Sequence, residues 1–242
     1  MDTNKIAAMR DGGKILGLIR RQLIASLKPG LDLFETELQA QKLIRDAGAI
    51  PNFAFVASYG FATCLAVNDQ AVHSRPRHYI LKKADLVTLD VGLEWRGWQL
   101  DTSDSHLVGL PDDKFLSTGR HALKKAIAMA TPGRRVGHIS RTMQQIIETG
   151  NFSPIRQFCG HGIGRQIHQD PQIPCFLDRP IEKTSLIEPQ MTLAIEVMMT
   201  EGSWELKFDP DGWSSRTVDG SRFLQLEHTI LVTPSGPEIL TK

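Results

Sequence analysis

The stretch that decides the fold is ADLVTLDVGLEWRGWQLDTSDSHLV, residues 84–108. Two apolar, β-prone runs flank Glu94-Trp95-Arg96-Gly97, so the segment reads as an antiparallel hairpin. Centring the turn between Trp95 and Arg96 sets Asp90 directly opposite Asp101. Facing residues of a hairpin project to the same side, a few ångströms apart. Two carboxylates there repel each other, and Asp90 sits inside the apolar run Leu86–Leu93, where water is scarce. An unpaired buried carboxylate is costly. The pair therefore shares a proton, meets a nearby Arg or Lys, or binds a cation, unless the register itself is different.

Two further carboxylates stand in the same kind of setting. Glu196 lies in MTLAIEVMM and Glu227 in FLQLEHTILV, each in the middle of an apolar strand. Four acidic groups inside four apolar strands exceed what a core tolerates without compensation. Two divalent cations balance four carboxylates, which favours a pair of metals over one. His161, in FCGHGIGRQIHQDPQ, offers a nitrogen donor beside glycines that permit close backbone approach. Oxygen donors with one imidazole suit Co, Mn, Fe(II) or Zn better than a thiolate-built structural zinc site does. The Gly-Ile-Gly of this block lacks the strand–GxGxxG–helix setting of a dinucleotide site.

Outward from the hairpin, apolar spacing at Ile6, Met9, Ile15, Leu18, Ile19, Leu23 and Leu27 predicts a helix over 4–27, with Gly12-Gly13 as its weak point. Further helices are expected near 33–47, 113–130 and 137–149, and strands near 62–68, 85–93, 98–108, 191–200 and 222–233. At one offset of 103 residues, Pro29-Gly30 maps to Pro132-Gly133, Gln41 to Gln144, Ile44 to Ile147 and Pro51 to Pro154. The coincidences suggest a duplicated helix–turn–helix–strand unit, with helices outside, a sheet inside and a site where the halves meet. No Ser/Gly/Pro-rich linker divides the chain, so residues 1–242 read as a single domain.

Bulk composition narrows the function classes. A net charge of +1 over 242 residues gives no electrostatic reason to expect nucleic acid or an anionic membrane as partner. No run approaches the roughly 18 apolar residues of a membrane span. The charged N-terminus is unlike a signal peptide. Three cysteines (Cys64, Cys159, Cys175) are too few for a disulfide framework. A cytoplasmic protein is the expectation, monomeric by default.

The ordered set Asp90, Asp101, His161, Glu196, Glu227 resembles the ligand pattern of the pita-bread metallopeptidases. LVTLDV, the DTS at Asp101, CGHGIGRxxHxxPQ, MTxxIE, DGW at 211–213 and EHTIxVT make the chain most similar to the type I methionine aminopeptidases. The resemblance implies an α+β fold of two pseudo-symmetric α/β halves, helices outside a central antiparallel sheet. It implies removal of N-terminal methionine from short peptides or nascent proteins, with ribosome contact only for nascent-chain processing. Asp90 would hold one metal, Asp101 and Glu227 both, and His161 and Glu196 would complete the second site. Glu196 would also carry the proton from water to the leaving amine. His168 would bond the substrate carbonyl and oxyanion, and His73 the scissile amide nitrogen. Matched pocket positions are Phe53, Val56, Tyr59, Cys64, Ile167 and Trp213. Ile167 stands where an aromatic is usual, Leu100 where Gly is usual and Val197 where Pro is usual, and SYGFATC lacks the usual Tyr-Pro. These departures leave the ligands intact and bear on side-chain specificity.

Two other readings follow from the same pattern. A proline-specific aminopeptidase or dipeptidase usually carries a large N-terminal domain, whereas about 84 residues precede the hairpin here. A non-catalytic peptide-binding relative typically breaks the ligand set, which is whole here. The resemblance further implies that Asp2, larger than the small second residues accepted, keeps Met1 in place.

Overall fold

The structure, a computed structural model, describes residues 3–56 and 58–242. Met1 and Asp2, on which the last expectation falls, lie outside the described residues. The chain opens with helices α1 (Thr3–Ser26) and α2 (Leu33–Asp46), then a short 3₁₀ turn (Phe53–Phe55) and strands β1 (Thr63–Val67), β2 (Leu86–Trp95) and β3 (Trp98–Leu107). Helices α3 (Lys114–Ala128) and α4 (Val136–Thr149) follow, then β4 (Ser153–Pro154), β5 (Cys159–Gly162) and β6 (Gln169–Pro174). The remainder is a 3₁₀ turn (Ile181–Lys183), β7 (Thr192–Thr200), β8 (Leu206–Phe208), β9 (Ser215–Thr217), β10 (Phe223–Thr233) and β11 (Gly236–Ile239).

Side-chain caps start two of the helices: Asp32 accepts from Phe34 N at 3.1 Å and Asp113 from Leu116 N at 3.0 Å. The helix over α1 runs unbroken through Gly12-Gly13. There the missing side chains bring it close to Leu100 and Leu240, where a Cβ would come within 2.6 Å. Leu18 departs from its expected stripe and is 53% exposed. The duplicated pattern has matching structure: Gly30 and Gly133 both take left-handed backbone, φ 90° and 83°, between paired helices.

The central antiparallel layer is two ladders side by side, β1-β2-β3 and β11-β10-β7-β5-β6, with β4 on β7 and a separate β8-β9 hairpin. Where β3 meets β10, hydroxyls join the strands. Thr102 Oγ1 donates to Glu227 O (2.8 Å), Ser105 Oγ to Gln225 O (2.9 Å) and Thr229 Oγ1 to Asp101 O (2.7 Å). Helices α1 and α3 pack on one face. Leu16, Ile19 and Leu23 of α1 pack with Leu89, Val91, Leu93 and Leu100. Phe115, Leu123 and Ile127 of α3 pack with Ile195, Val197, Leu224 and Leu226. Each such side chain contributes about 1.5–3 kcal/mol relative to exposure. Because side chains alternate along a strand, the intervening residues Asp90, Asp101, Glu196 and Glu227 all project from the opposite face. Among the described residues no helix is long and apolar enough to cross a membrane.

Candidate metal centre and its cavity

The hairpin register corrects the sequence expectation. Arg96 and Gly97 both have positive φ (53° and 80°), a two-residue turn of the type whose twist suits a hairpin. Trp95 therefore pairs with Trp98, Asp90 faces Ser103, and Asp101 faces Gly92. The expected centre was one residue too early. Shifting it by a whole residue keeps the parity of the pairing, so Asp90 and Asp101 remain on one face as diagonal neighbours.

The second half supplies a directly facing pair: Glu196 of β7 lies opposite Glu227 of β10. His161 reaches the same place from β5, next to β7 through Ala194. Asp101, His161 and Glu227 each offer a ligand atom within 4.8 Å of the others. The ring of His161 is oriented by its own strand, since Nδ1 lies 3.0 Å from Gly162 O. A carbonyl only accepts, so Nδ1 carries the proton and Nε2 keeps its lone pair. Burial, then the neighbouring His168, lowers the His161 pKa to about 4 and holds the imidazole neutral.

All four carboxylates are at most 7% exposed. Burial pushes Asp90 up to about 7 and Glu196 up to about 8. Asp101 and Glu227 are raised well above the carboxylate range, first by burial and then by neighbouring carboxylates. Asp90 Oδ1, Asp101 Oδ1 and Glu227 Oε1 are buried oxygens without a hydrogen-bond partner. Glu37 shows what a structural carboxylate looks like in this protein. It is equally buried, yet it accepts from Ala62 N (2.8 Å), Thr63 N (2.9 Å), Thr63 Oγ1 (2.5 Å) and Gln41 Nε2 (2.6 Å). The unpaired oxygens beside a neutral imidazole fit divalent cations, which neutralise the carboxylates and satisfy their lone pairs together.

Sequence reasoning missed Gln225. It is 4% exposed, has the same strand parity as Glu227, and donates through Nε2 to Glu196 Oε2 at 3.0 Å. The available signal was its position two residues before Glu227 in an apolar strand.

Two cavities meet beside Asp90 and Asp101. The larger, of about 700 Å³, is lined by all five candidate ligands, with His73, His168 and Gln225 on its walls. The smaller, of about 110 Å³, is an apolar recess of Phe53, Val56, Tyr59, Cys64, Ile167 and Trp213, bounded by His73, His168, Asp90 and Asp101. Every pocket residue expected from sequence is present in it. Tyr59 braces the recess, donating to Thr63 O at 2.9 Å and lying edge-on to Trp213 at 5.1 Å. His168 stacks edge-on to His161 at 4.4 Å. His73 sits in left-handed backbone, φ 60°, against Phe158 and Trp213. Burial lowers its pKa to about 4, so it enters the site neutral. A non-glycine residue held at such a φ is a common feature of functional sites.

The model of metallopeptidase family M24 matches residues 7–234. Methionine aminopeptidase 1 of Bacillus subtilis is 36% identical over 241 residues, 98% of this chain and 96% of that protein. A methionine aminopeptidase of Clostridium perfringens is also 36% identical over 241 residues, with the same coverage. The crystal structure of the Thermotoga maritima methionine aminopeptidase superposes with a TM-score of 0.96 at 36% identity, covering 100% of this chain and 98% of that one. Prolidase from Pyrococcus furiosus shares the pita-bread fold alone, with TM-score 0.77, 20% identity, and 99% of this chain against 64% of that one. With agreement this extensive in sequence and structure, the chain belongs to metallopeptidase family M24.

Proposed function

We propose that the chain is a metal-dependent aminopeptidase that removes methionine from the N-termini of peptides and nascent proteins, acting as one catalytic domain. The observation that carries this reading is the convergence of partnerless buried carboxylate oxygens, from both halves of the fold, beside an apolar recess. Asp90, Asp101, His161, Glu196 and Glu227 would hold two divalent cations. Four carboxylates against two dications balance the charge, and the donor set admits Co, Mn, Fe(II) or Zn. Bound there, such cations supply Lewis acidity and make water nucleophilic near neutral pH.

The chain's own side chains do the rest. Phe53, Tyr59, Cys64, Ile167 and Trp213 receive the methionine side chain, which places the first peptide bond between His73 and His168. His168 donates to the substrate carbonyl as it gains negative charge. His73 contacts the scissile amide nitrogen. Glu196 takes the proton of the attacking water and returns it to the leaving amine. Gln225 holds Glu196 in place for that transfer. Three free cysteines suit work in the reducing cytoplasm.

The test is hydrolysis of Met-Ala-Ser against Ala-Pro and Gly-Pro peptides by manganese- or cobalt-loaded protein. Release of methionine, abolished by chelation and restored by metal, supports the reading. Preference for the proline peptides, or turnover that survives chelation, contradicts it.

A further inference from the structure

Side chains from two loops close the apolar recess. Tyr59 comes from the segment over 53–60 and Trp213 from the turn over 209–214, and their rings meet edge-on at 5.1 Å. Asp211 fastens the second loop, accepting from Trp213 N at 3.0 Å, Ser214 N at 2.8 Å and Ser214 Oγ at 2.6 Å. The backbone of the first loop is tied mainly to itself: the N–H groups of Phe55, Val56 and Tyr59 donate to Asn52, Phe53 and Val56. Among the described residues, its one backbone bond to a distant part of the chain is at Ser58 O, which accepts from Arg75 Nη2. Arg75 does not line the recess; it faces a separate surface hollow of about 520 Å³. Its backbone N donates to Ser214 Oγ at 3.1 Å. Its guanidinium carbon lies 6.0 Å from the centre of the Tyr59 ring and 5.9 Å from that of Trp213, at the outer reach of cation–ring attraction. Its Nε is buried without a partner, whereas an arginine free to swing would turn that group to water.

We propose that Arg75 is a positioning residue that clamps the two loops together from outside and so sets the width of the recess for the first side chain of the substrate. The inference rests on the aminopeptidase reading. Without the clamp, the segment over 53–60 is ordered by the substrate itself, and apparent affinity falls by the fraction of molecules whose recess is formed. Such a loss is felt equally in ground and transition states, so it raises KM more than it lowers kcat. A looser recess also separates side chains of different shape less well. Lysine at this position keeps the charge, but its ammonium has no planar face to lay against two rings while donating to Ser58 O.

The experiment compares manganese-loaded wild-type, Arg75→Lys and Arg75→Ala proteins on Met-Ala-Ser and Leu-Ala-Ser. Arg75→Ala is expected to raise KM for Met-Ala-Ser roughly fivefold to tenfold, the scale of a lost cation–ring contact with one charged hydrogen bond, with a smaller change in kcat. The ratio of kcat/KM between the two peptides should narrow, and Arg75→Lys should fall between the other proteins. Millimolar guanidinium is expected to recover part of the loss in Arg75→Ala, and ammonium at the same concentration is not. Unchanged KM and selectivity, or a fall in kcat that follows loss of metal, overturns the clamp. In parallel, hydrogen exchange read by mass spectrometry should be faster at the Val56 and Tyr59 amides of Arg75→Ala at unchanged metal content, and equal exchange overturns the clamp as well. Absence of Met-Ala-Ser hydrolysis by the wild type sinks the aminopeptidase reading; exchange then decides the role of Arg75 alone.

Discussion

Asp101 and His73 border the same recess but are held for different work, and the difference can be measured. Asp101 Oδ1 is buried without a protein partner, within 4.8 Å of ligand atoms on His161 and Glu227. His73 lies farther along the wall, packed between Phe158 and Trp213. Asp101→Ala is therefore expected to lose metal and turnover together. His73→Ala is expected to retain metal while kcat falls roughly a hundredfold to a thousandfold, the scale of removing one positioned hydrogen-bonding group. Metal content after dialysis, read beside Met-Ala-Ser turnover, separates the two; equal metal loss would make His73 a ligand. His161 stood out only through its glycine-flanked block, but the four buried carboxylates were legible in the sequence because a charge inside an apolar run is conspicuous. Gln225 and Glu37 were not. A neutral amide in a strand reads as solvent-facing, and a Glu on an amphipathic helix reads as surface. Only the tertiary contacts show that one braces Glu196 and the other ties the start of β1.

The β2–β3 hairpin shows which part of an element sequence determines firmly. Alternation fixes the face of each side chain, so Asp90 and Asp101 were placed on one side correctly. Register depends on the turn, and φ of 53° at Arg96, a residue without special left-handed preference, gave no advance signal. Strands β5 and β6 were illegible for another reason. They are short, rich in Gly and Pro, and carry no apolar alternation, so their pairing rests on close backbone approach. A Cβ on Gly162 would stand 2.1 Å from Asp170 O in the facing strand. Gly162→Ala is therefore expected to force β5 and β6 apart. Overpacking of this kind costs about 1–3 kcal/mol, seen as a lowered Tm. Because His161 precedes this residue, metal affinity should fall as well. Unchanged Tm and affinity would mean that the strands yield freely.

At the scale of the molecule, two halves meet over a layer of buried charge, and their joint has a structural side and a functional side. On the helix side Asp104 lies 3.8 Å from Arg20 of α1 and 2.9 Å from Arg120 of α3. Asp104→Ala is expected to cost about 1.5–3 kcal/mol, the worth of hydrogen bonds to charged groups, with metal content unchanged. On the opposite side, without metal, Asp90 and Glu196 hold protons up to about pH 7 and 8 that the unfolded chain has already released. The folded state then binds more protons than the unfolded state, so stability falls as pH rises from about 4 through 8. Chelated protein should lose Tm between about pH 5 and pH 8, and added manganese should restore more at the higher pH. A flat profile would mean that those carboxylates are not forced to keep their protons. The two-half plan was legible through its repeated Pro-Gly turns, whereas the hydroxyl-bridged seam between β3 and β10 was not, because it depends on distant strands. The most direct test of the whole account follows cation uptake and proton release together, titrating chelated protein with manganese at about pH 6.5. About two cations should bind per chain, each displacing protons from the buried carboxylates. Uptake without proton release, or no uptake, would contradict the claim that these groups ionise only in exchange for metal.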